Sequence, residues 1–417
     1  MLKEVLVQAW DALRRNKVRS SLTMLGIAWG IVAVALLMAY GGSFRQVLVR
    51  GFDAFGKSAV VCWPGQTSEQ AGGERAGKRI RFERADLEQI QAQAHLVRQV
   101  SMETVRWLPV SYGDRYANTA IRGVYPDYGE IRNEVSSEGR WISAEDFQQR
   151  RRVAFLGGRL RKKLFAGRPA AGETVKIGGM RFTVVGTMDR KMQFSNYFTN
   201  DDDCVWIPYT AAGDLWDTRY AAVIVFSSVA PSFEPAAMRQ VRAAVARRQR
   251  FSPTDERAIQ MHGREDFRPI IDSLSIGLQV LLVFIGTLTL GIGGVGVMNI
   301  MLVSVDERIR EIGLRRALGA RRRHIRAQFL AEALLLTLLG GAVGVVAAYL
   351  LSLAVGSIPL LGPLFEDTSG KTDIHLIISP RIALASTLIL VAVGVLSGLV
   401  PALRASRLDP VEALRYE

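Results

Sequence analysis

The chain has 417 residues and a formal net charge of +14; 49% of its residues are hydrophobic, 22% are charged, and two are cysteines. Such a length with so much of both residue classes excludes one small soluble globule, because the apolar and charged residues must be segregated along the sequence. Two cysteines exclude a disulfide-stapled scaffold, and no separate soluble basic domain carries the positive charge, so nucleic-acid binding is not expected.

Residues Leu2, Val5, Leu6, Ala9, Trp10 and Leu13 recur at helical spacing opposite Lys3, Glu4, Gln8, Asp11 and Arg14. This pattern predicts an amphipathic helix over 1–18 lying at the membrane interface. An apolar run from Leu22 to Tyr40 follows. It exceeds the roughly 7–15 residues of a signal-peptide core, so an uncleaved membrane helix over 20–42 is expected rather than a secretory signal.

Residues 43–272 read as a mixed α/β region of two lobes, the second inserted at about 139–220. Strand-like strings are SAVVCW, RYANTAIRGV, RRVAFLG and AAVIVFS, with ETVKI and MRFTVVGTM joined by Gly178-Gly179, a dipeptide suited to a tight hairpin. Helical periodicity marks Arg84 to Ala94, Arg159 to Phe165 and Pro235 to Arg248. Polar and glycine-rich segments near Gln66 to Gly77, Glu134 to Gly139 and Gln193 to Asp203 are expected as loops or subdomain edges. Cys62 and Cys204 sit in apolar strings, which favours small buried hydrophobes, although an oxidising compartment would permit a bridge.

The region carries few chemical motifs. GGERAGKR, Gly72 to Arg79, satisfies the phosphate-loop spacing but lacks the magnesium-binding hydroxyl residue and precedes a strand-like string, so nucleotide binding is not expected there. The four histidines match no ligand spacing, no G-x-S-x-G elbow occurs, and the acidic run Asp201 to Asp203 is expected to be a solvated loop. No catalytic, cofactor or metal site is expected in this chain.

Three more apolar stretches, Ser275 to Met301, Ala333 to Leu353 and Ile382 to Leu403, are each long enough to cross about 30 Å of hydrocarbon. They predict spans over 273–303, 328–355 and 381–403, with a short loop over 356–380 and a tail over 404–417. Gly291, Gly293 and Gly296 form G-x-G-x-x-G inside the second span, where no βαβ unit can exist; close helix packing is the expected role. The segment before the first span holds five Lys and Arg against two acids, and 304–327 holds eight against three. Both are therefore expected to be cytoplasmic, with the two termini on the same side, the 43–272 region outside, and the basic excess facing anionic lipids. Glu332, near a membrane edge, is expected to snorkel or to pair with Arg326 or Gln328.

The 304–327 segment has an internal order of its own. Ile309, Ile312, Leu314 and Leu318 supply apolar side chains among Arg308, Glu311, Arg315 and Arg316, and Gly313 and Gly319 allow turns. A plain connector needs neither the hydrophobes nor so dense a block of both signs, so a docking element is expected.

The run GIGGVGVMNIMLVSVDERIREIGLRRALGARRRHIRAQFLAEALLLTLLGG resembles the signature region of MacB-type, FtsX-like permeases of ABC transporters. RSSLTMLGIAWGIVAVALL near the start, PALRASRLDPVEALRYE at the end, and the order of one span, a large external domain and three spans resemble the same family. The resemblance implies a dimeric bacterial inner-membrane permease, homodimeric in the simpler case and heterodimeric otherwise, whose cytoplasmic loop couples to an ABC ATPase. ATP and magnesium would be bound by that partner. Glu307, Arg308, Arg310, Glu311, Ile312, Gly313, Arg316, Ala317, Leu318 and Gly319 fall on the family's coupling motif. Asp306 departs from it, standing where a small hydroxyl residue is common. MacB itself carries an ATPase domain ahead of the interfacial helix, at which this sequence begins, so a separate ATPase polypeptide is expected. Mechanotransmission for export is the implied function, with a periplasmic adaptor and an outer-membrane channel as further partners. A lipoprotein-release permease and a regulator that activates a cell-wall hydrolase without transport share the architecture.

Overall fold

The computed structural model describes residues 17–53, 56, 58–73, 75–189, 191, 197–359 and 373–414. Most of the interfacial helix expected at 1–18 thus lies outside the described residues. The described chain forms two compact units, one of residues 47–272 and one of the remainder. Among the described residues, four helices are long and apolar enough to cross a membrane: Ser21–Gly51, Arg264–Glu307, Arg322–Val355 and Pro380–Arg407. The first of these belongs to α1 (Lys17–Asp53).

In the external unit, β1 (Ala59–Pro64), α2 (Arg84–Gln93), β2 (Val97–Tyr112), β3 (Arg115–Val124), α3 (Tyr128–Ile131), β4 (Ser136–Gly139), α4 (Ala144–Gln148) and β5 (Val153–Leu156) come first. There follow α5 (Gly158–Phe165), β6 (Thr174–Ile177), β7 (Met180–Met188), β8 (Val205–Pro208), α6 (Tyr209–Ala212), β9 (Val223–Ser228), α7 (Glu234–Gln249) and β10 (Ile259–His262). One sheet runs β10-β1-β9-β2-β3-β8-β5-β7-β4, and β6 pairs with both β2 and β7. The pairings β2-β3-β8-β5-β7-β6-β2 therefore close on themselves. Only β3 with β8 and β5 with β7 are parallel.

Strand alternation sorts the apolar side chains into separate cores. Val60 and Cys62 of β1, with Ile224 and Phe226 of β9, pack on α2 and α7, while Ala59, Val61, Val223 and Val225 point into a second cluster around Tyr128 and Trp206. Phe155 and Trp206 join that second cluster, whereas Ala154, Leu156, Val205 and Ile207 fill the closed strand ring with Val175, Phe182 and Leu164. Because both faces of these strands are buried, they read in the sequence as continuous apolar runs. Gly178 and Gly179 have φ of +54° and +89° and link β6 to β7 with Ile177 opposite Met180, as a two-residue hairpin requires.

Two expectations need correction. Glu134 to Gly139 is not wholly loop, because β4 pairs with the end of β7. Asp201 is not solvated: it begins a short 3₁₀ turn over Asp201–Asp203 and is fully buried. Gly72 to Arg79 turns back on itself, with Gln66 bridging to Arg79, and α2 starts only at Arg84, so the helix dipole of a phosphate loop is missing. Cys62 and Cys204 are both free thiols in different clusters, and burial pushes both up, Cys204 to about 12.

The membrane unit continues with α8 (Arg264–Glu307), α9 (Ile309–Ala317) and α10 (Arg322–Val355). A two-residue pairing, β11 (Ser357–Ile358) with β12 (Ile374–His375), precedes α11 (Pro380–Arg407) and α12 (Pro410–Leu414). Ile27 and Ile31 of α1, Leu290 and Val297 of α8, Phe329 and Leu336 of α10, and Leu390 of α11 share one core.

Candidate coupling surface

The helix α8 ends where Arg308 leaves helical geometry, and α9 starts one residue later. Gly319, at φ +98°, reverses the chain after α9, and Arg321 is extended before α10 begins. Two sharp breaks thus leave a nine-residue helix standing between two long ones.

The sides of α9 differ. Ile309, Ile312 and Gly313 are buried, and Ile312 packs in the core with Val305, Ile325, Phe329 and Ala405. Behind Gly313 lies α12, so close that a Cβ on the glycine would stand 2.6 Å from the Ala413 Cβ. Leu314 and Leu318 face outward, 52% and 81% exposed. The apolar side chains of this segment therefore form two surfaces, one buried and one exposed. At 100° per residue, Leu314 and Leu318 fall on the side opposite Ile309 and Ile312.

Polar contacts fix this geometry. Arg316 donates to the backbone carbonyls of Ser406, at 3.4 Å, and Leu408, tying α9 to the last turn of α11 and the residue that caps it. Asp306, the departure from the family pattern, pairs with Arg404 of α11 at 3.0 Å. Arg308 meets Glu332 at 3.6 Å, so the partner of that acid is Arg308 rather than Arg326 or Gln328. Arg315 bridges Glu311 at 2.5 Å and donates to Gln328 at 2.9 Å.

Of the ten residues on the expected coupling motif, Glu307, Arg310, Glu311, Ala317, Leu318 and Gly319 are exposed, Ile312 and Gly313 are buried, and Arg308 and Arg316 turn inward to their partners. Leu314 and Leu318 are thus exposed on a segment that also exposes both signs of charge, Glu307 and Glu311 with Arg310, Arg321, Arg322 and Arg323. Sequence reasoning missed the tail that backs this surface. Its signal was Asp409-Pro410, a helix-start pair in which the Asp409 carboxylate accepts from the Val411 N–H at 2.8 Å.

The three glycines of α8 do not share one environment. A Cβ on Gly293 would meet the backbone of Gly26 on α1 at 3.1 Å, one on Gly296 would lie 3.9 Å from Thr23, and one on Gly291 would have nothing within 4 Å. Gly291 therefore takes no part in packing among the described residues. Gly294, which belongs to no sequence motif, is the tighter contact: its Cβ would stand 2.5 Å from the Ser397 hydroxyl and 2.7 Å from Val393.

A buried ionic cluster in the external unit was not foreseen either. Arg122 lies 3.5 Å from Glu103 and 3.4 Å from Asp201, Arg132 and Lys191 each reach Asp201 at 3.1 Å, and Lys191 reaches Glu134 at 3.0 Å. Three cations thus face three carboxylates. Burial alone would raise the Asp201 carboxyl, but Lys191, Arg132 and Arg122 outweigh it and hold it well below the usual range. For Glu103 burial wins, against Arg122 and the Tyr197 hydroxyl that donates to it at 2.6 Å. Each acid is matched by a base, and no group of metal-ligating side chains occurs among the described residues.

Residues 20–248 match the MacB-like periplasmic core domain, and residues 283–410 match the FtsX-like permease C-terminal domain. The macrolide export ATP-binding/permease protein MacB of Bdellovibrio bacteriovorus is 32% identical over 416 residues, 99% of this chain and 62% of that protein. Its namesake in Chlorobaculum tepidum is 32% identical over 418 residues, 99% of this chain and 61% of that protein. The chain thus spans about three-fifths of the length of the curated relatives it matches. The crystal structure of the periplasmic region of MacB from Actinobacillus actinomycetemcomitans aligns with 54% of this chain and 98% of its own, at 14% identity and a TM-score of 0.42. On the two domain matches, which together take in the external unit and the helices that follow it, the chain belongs to the MacB-like, FtsX-like family of ABC transporter permeases.

Proposed function

We propose that this chain is the membrane part of a MacB-type exporter of the bacterial inner membrane, and that α9 docks a cytoplasmic ABC ATPase that binds the ATP and magnesium. Closure of the ATPase would push on α9, and the uninterrupted helix α8, Arg264 to Glu307, would carry the motion to the periplasmic domain. The chain works as a homodimer in this reading, with its termini in the cytoplasm and an adaptor and outer-membrane channel completing the path. The observation that carries it is Leu318, 81% exposed at the C-terminal end of a helix whose other side is fixed to α12 and the core. A large apolar side chain held out by so braced an element serves contact with a partner. The names of the curated relatives, ATP-binding/permease proteins, agree with an ATPase as that partner.

The test uses the full chain with its co-purified ATPase in lipid nanodiscs. Leu318→Asp and Glu311→Lys should each cut permease-stimulated ATP hydrolysis at least tenfold while the thermal midpoint of the permease stays unchanged. Unaltered stimulation in both variants would reduce α9 to a connector, and substantial hydrolysis by the purified 417-residue chain alone would remove the need for a partner.

A further inference from the structure

The external unit contains an open cavity of about 350 Å³ whose wall includes Met102 of β2, Tyr125 after β3, Phe147 of α4 and Tyr209 of α6. The wall is preset by contacts that need no ligand. The Tyr125 ring lies 4.6 Å from Phe147 and 5.3 Å from Tyr209, centroid to centroid. The Tyr209 hydroxyl donates to the Thr218 carbonyl at 2.8 Å, and the Thr210 hydroxyl donates to the Phe147 carbonyl at 2.7 Å. Three rings are therefore held around one space.

Its rim is cationic. Arg84, Arg150 and Arg219 line the cavity, and none of the lining residues is Asp or Glu. The carboxylates nearby do not neutralise all three. Glu88 pairs with Arg84, but both side chains are more than half exposed, and solvent screens such a pair strongly. Asp214 is gripped by Arg152 through Nε and Nη2, at 3.0 and 2.9 Å, which leaves Arg150 a longer contact of 3.4 Å. Arg219 forms no ion pair among the described residues; its guanidinium stands 5.3 Å from the Tyr220 ring.

We propose that this cavity binds a small aromatic carboxylate, one ring with a short acidic arm. The volume lies at the lower end of the range of roughly 300–1,000 Å³ for small-molecule sites, which suits a single ring. The tyrosines and phenylalanine offer ring contacts beyond plain area burial, and arginine forks match a carboxylate. Nothing in this inference depends on the ATPase-coupling role of α9.

Calorimetric titration of the full chain in nanodiscs with 4-hydroxyphenylacetate tests it. Saturable binding with one site per chain is expected. The neutral analogue 4-hydroxyphenylacetamide should bind at least tenfold more weakly, and so should the acid to an Arg150→Gln, Arg219→Gln double variant, whose exposed positions leave folding intact. Tyr125→Ala should weaken the acid to a similar degree. Absence of saturable binding, equal affinity for acid and amide, or an unchanged affinity in the arginine variant would each overturn the assignment.

Discussion

Gly313 of α9 and Ala413 of α12 are separated by 100 residues of chain and meet with no room for a side chain between them, since a Cβ on the glycine would lie 2.6 Å from the alanine methyl. The helix α9 is thereby braced by the tail. Gly313→Ala should push α12 away, at a cost of about 1–3 kcal/mol as in other overpacked sites. Spin labels at the exposed positions Arg310 and Glu412 should then show a broadened distance distribution, and adding Ala413→Gly should narrow it again. An unchanged distribution in the single variant would mean that the tail does not brace α9.

Asp201 faces three buried cations, so Asp201→Ala leaves them short of one anion inside the fold. Removing one partner from a buried ionic group costs on the order of 3–5 kcal/mol, which thermal unfolding followed by tryptophan emission would register. The acid limb supplies a second readout. The native Asp201 carboxyl is held below the usual range, so its contribution is present above the unfolded pKa, roughly 3.9, and is lost as pH falls below it. The alanine variant should show a shallower loss of stability in that range.

Glu234, fully buried at the start of α7, accepts from the Glu265 N–H at 3.0 Å at the head of α8. Burial, and then the charges of Glu265 and Asp266, push its carboxyl up to about 7 against that backbone hydrogen bond. A raised folded value stabilises fully below the unfolded pKa of about 4.5 and loses that contribution as pH rises to about 7. Glu234→Gln keeps an acceptor for the Glu265 N–H and removes the titration. The midpoint difference between variant and parent should therefore shift in favour of the glutamine as pH goes from 5 to 8; parallel pH profiles would contradict it.

Gly344 and Gly291 give a matched pair in the membrane unit. A Cβ on Gly344 would stand 2.7 Å from Ile31 and 2.8 Å from the Ala28 carbonyl, whereas one on Gly291 meets nothing within 4 Å. Gly344→Leu should separate α10 from α1 and lower the thermal midpoint by several degrees, while Gly291→Leu should leave it within about 0.5 kcal/mol of the parent. Comparable damage from the two would show that Gly291 packs against something beyond this chain.

The parts of the molecule written in local pattern could be read before the fold was seen. Apolar length marks the four membrane helices, double-sided burial gives β1, β5, β8 and β9 their apolar runs, and Gly178-Gly179 marks the hairpin. The strand β2 hides because VRQVSMETVRWLPVSY alternates with polar residues and contains Pro109, a residue that usually argues against an interior strand. The ring geometry of β2 depends on partners far away in sequence. Distance in sequence also conceals the ionic cluster: nothing around Asp201 announces that Arg122 and Arg132 will meet it. For α9, the mixed apolar and charged segment was legible, but the burial of Gly313 depends on α12, some 100 residues later.

The pairing of Val61 with His262 has a temporal consequence. The strand β1 is among the first parts of the external unit to be made, and both its neighbours, β9 and β10, are among the last. At a synthesis rate of about 5–20 residues per second, β1 waits roughly 8–33 s before its first flank can be covered by β9. During that interval AVVCWP presents two bare edges, so the newborn chain is open to aggregation at a strand that ends up paired on both sides.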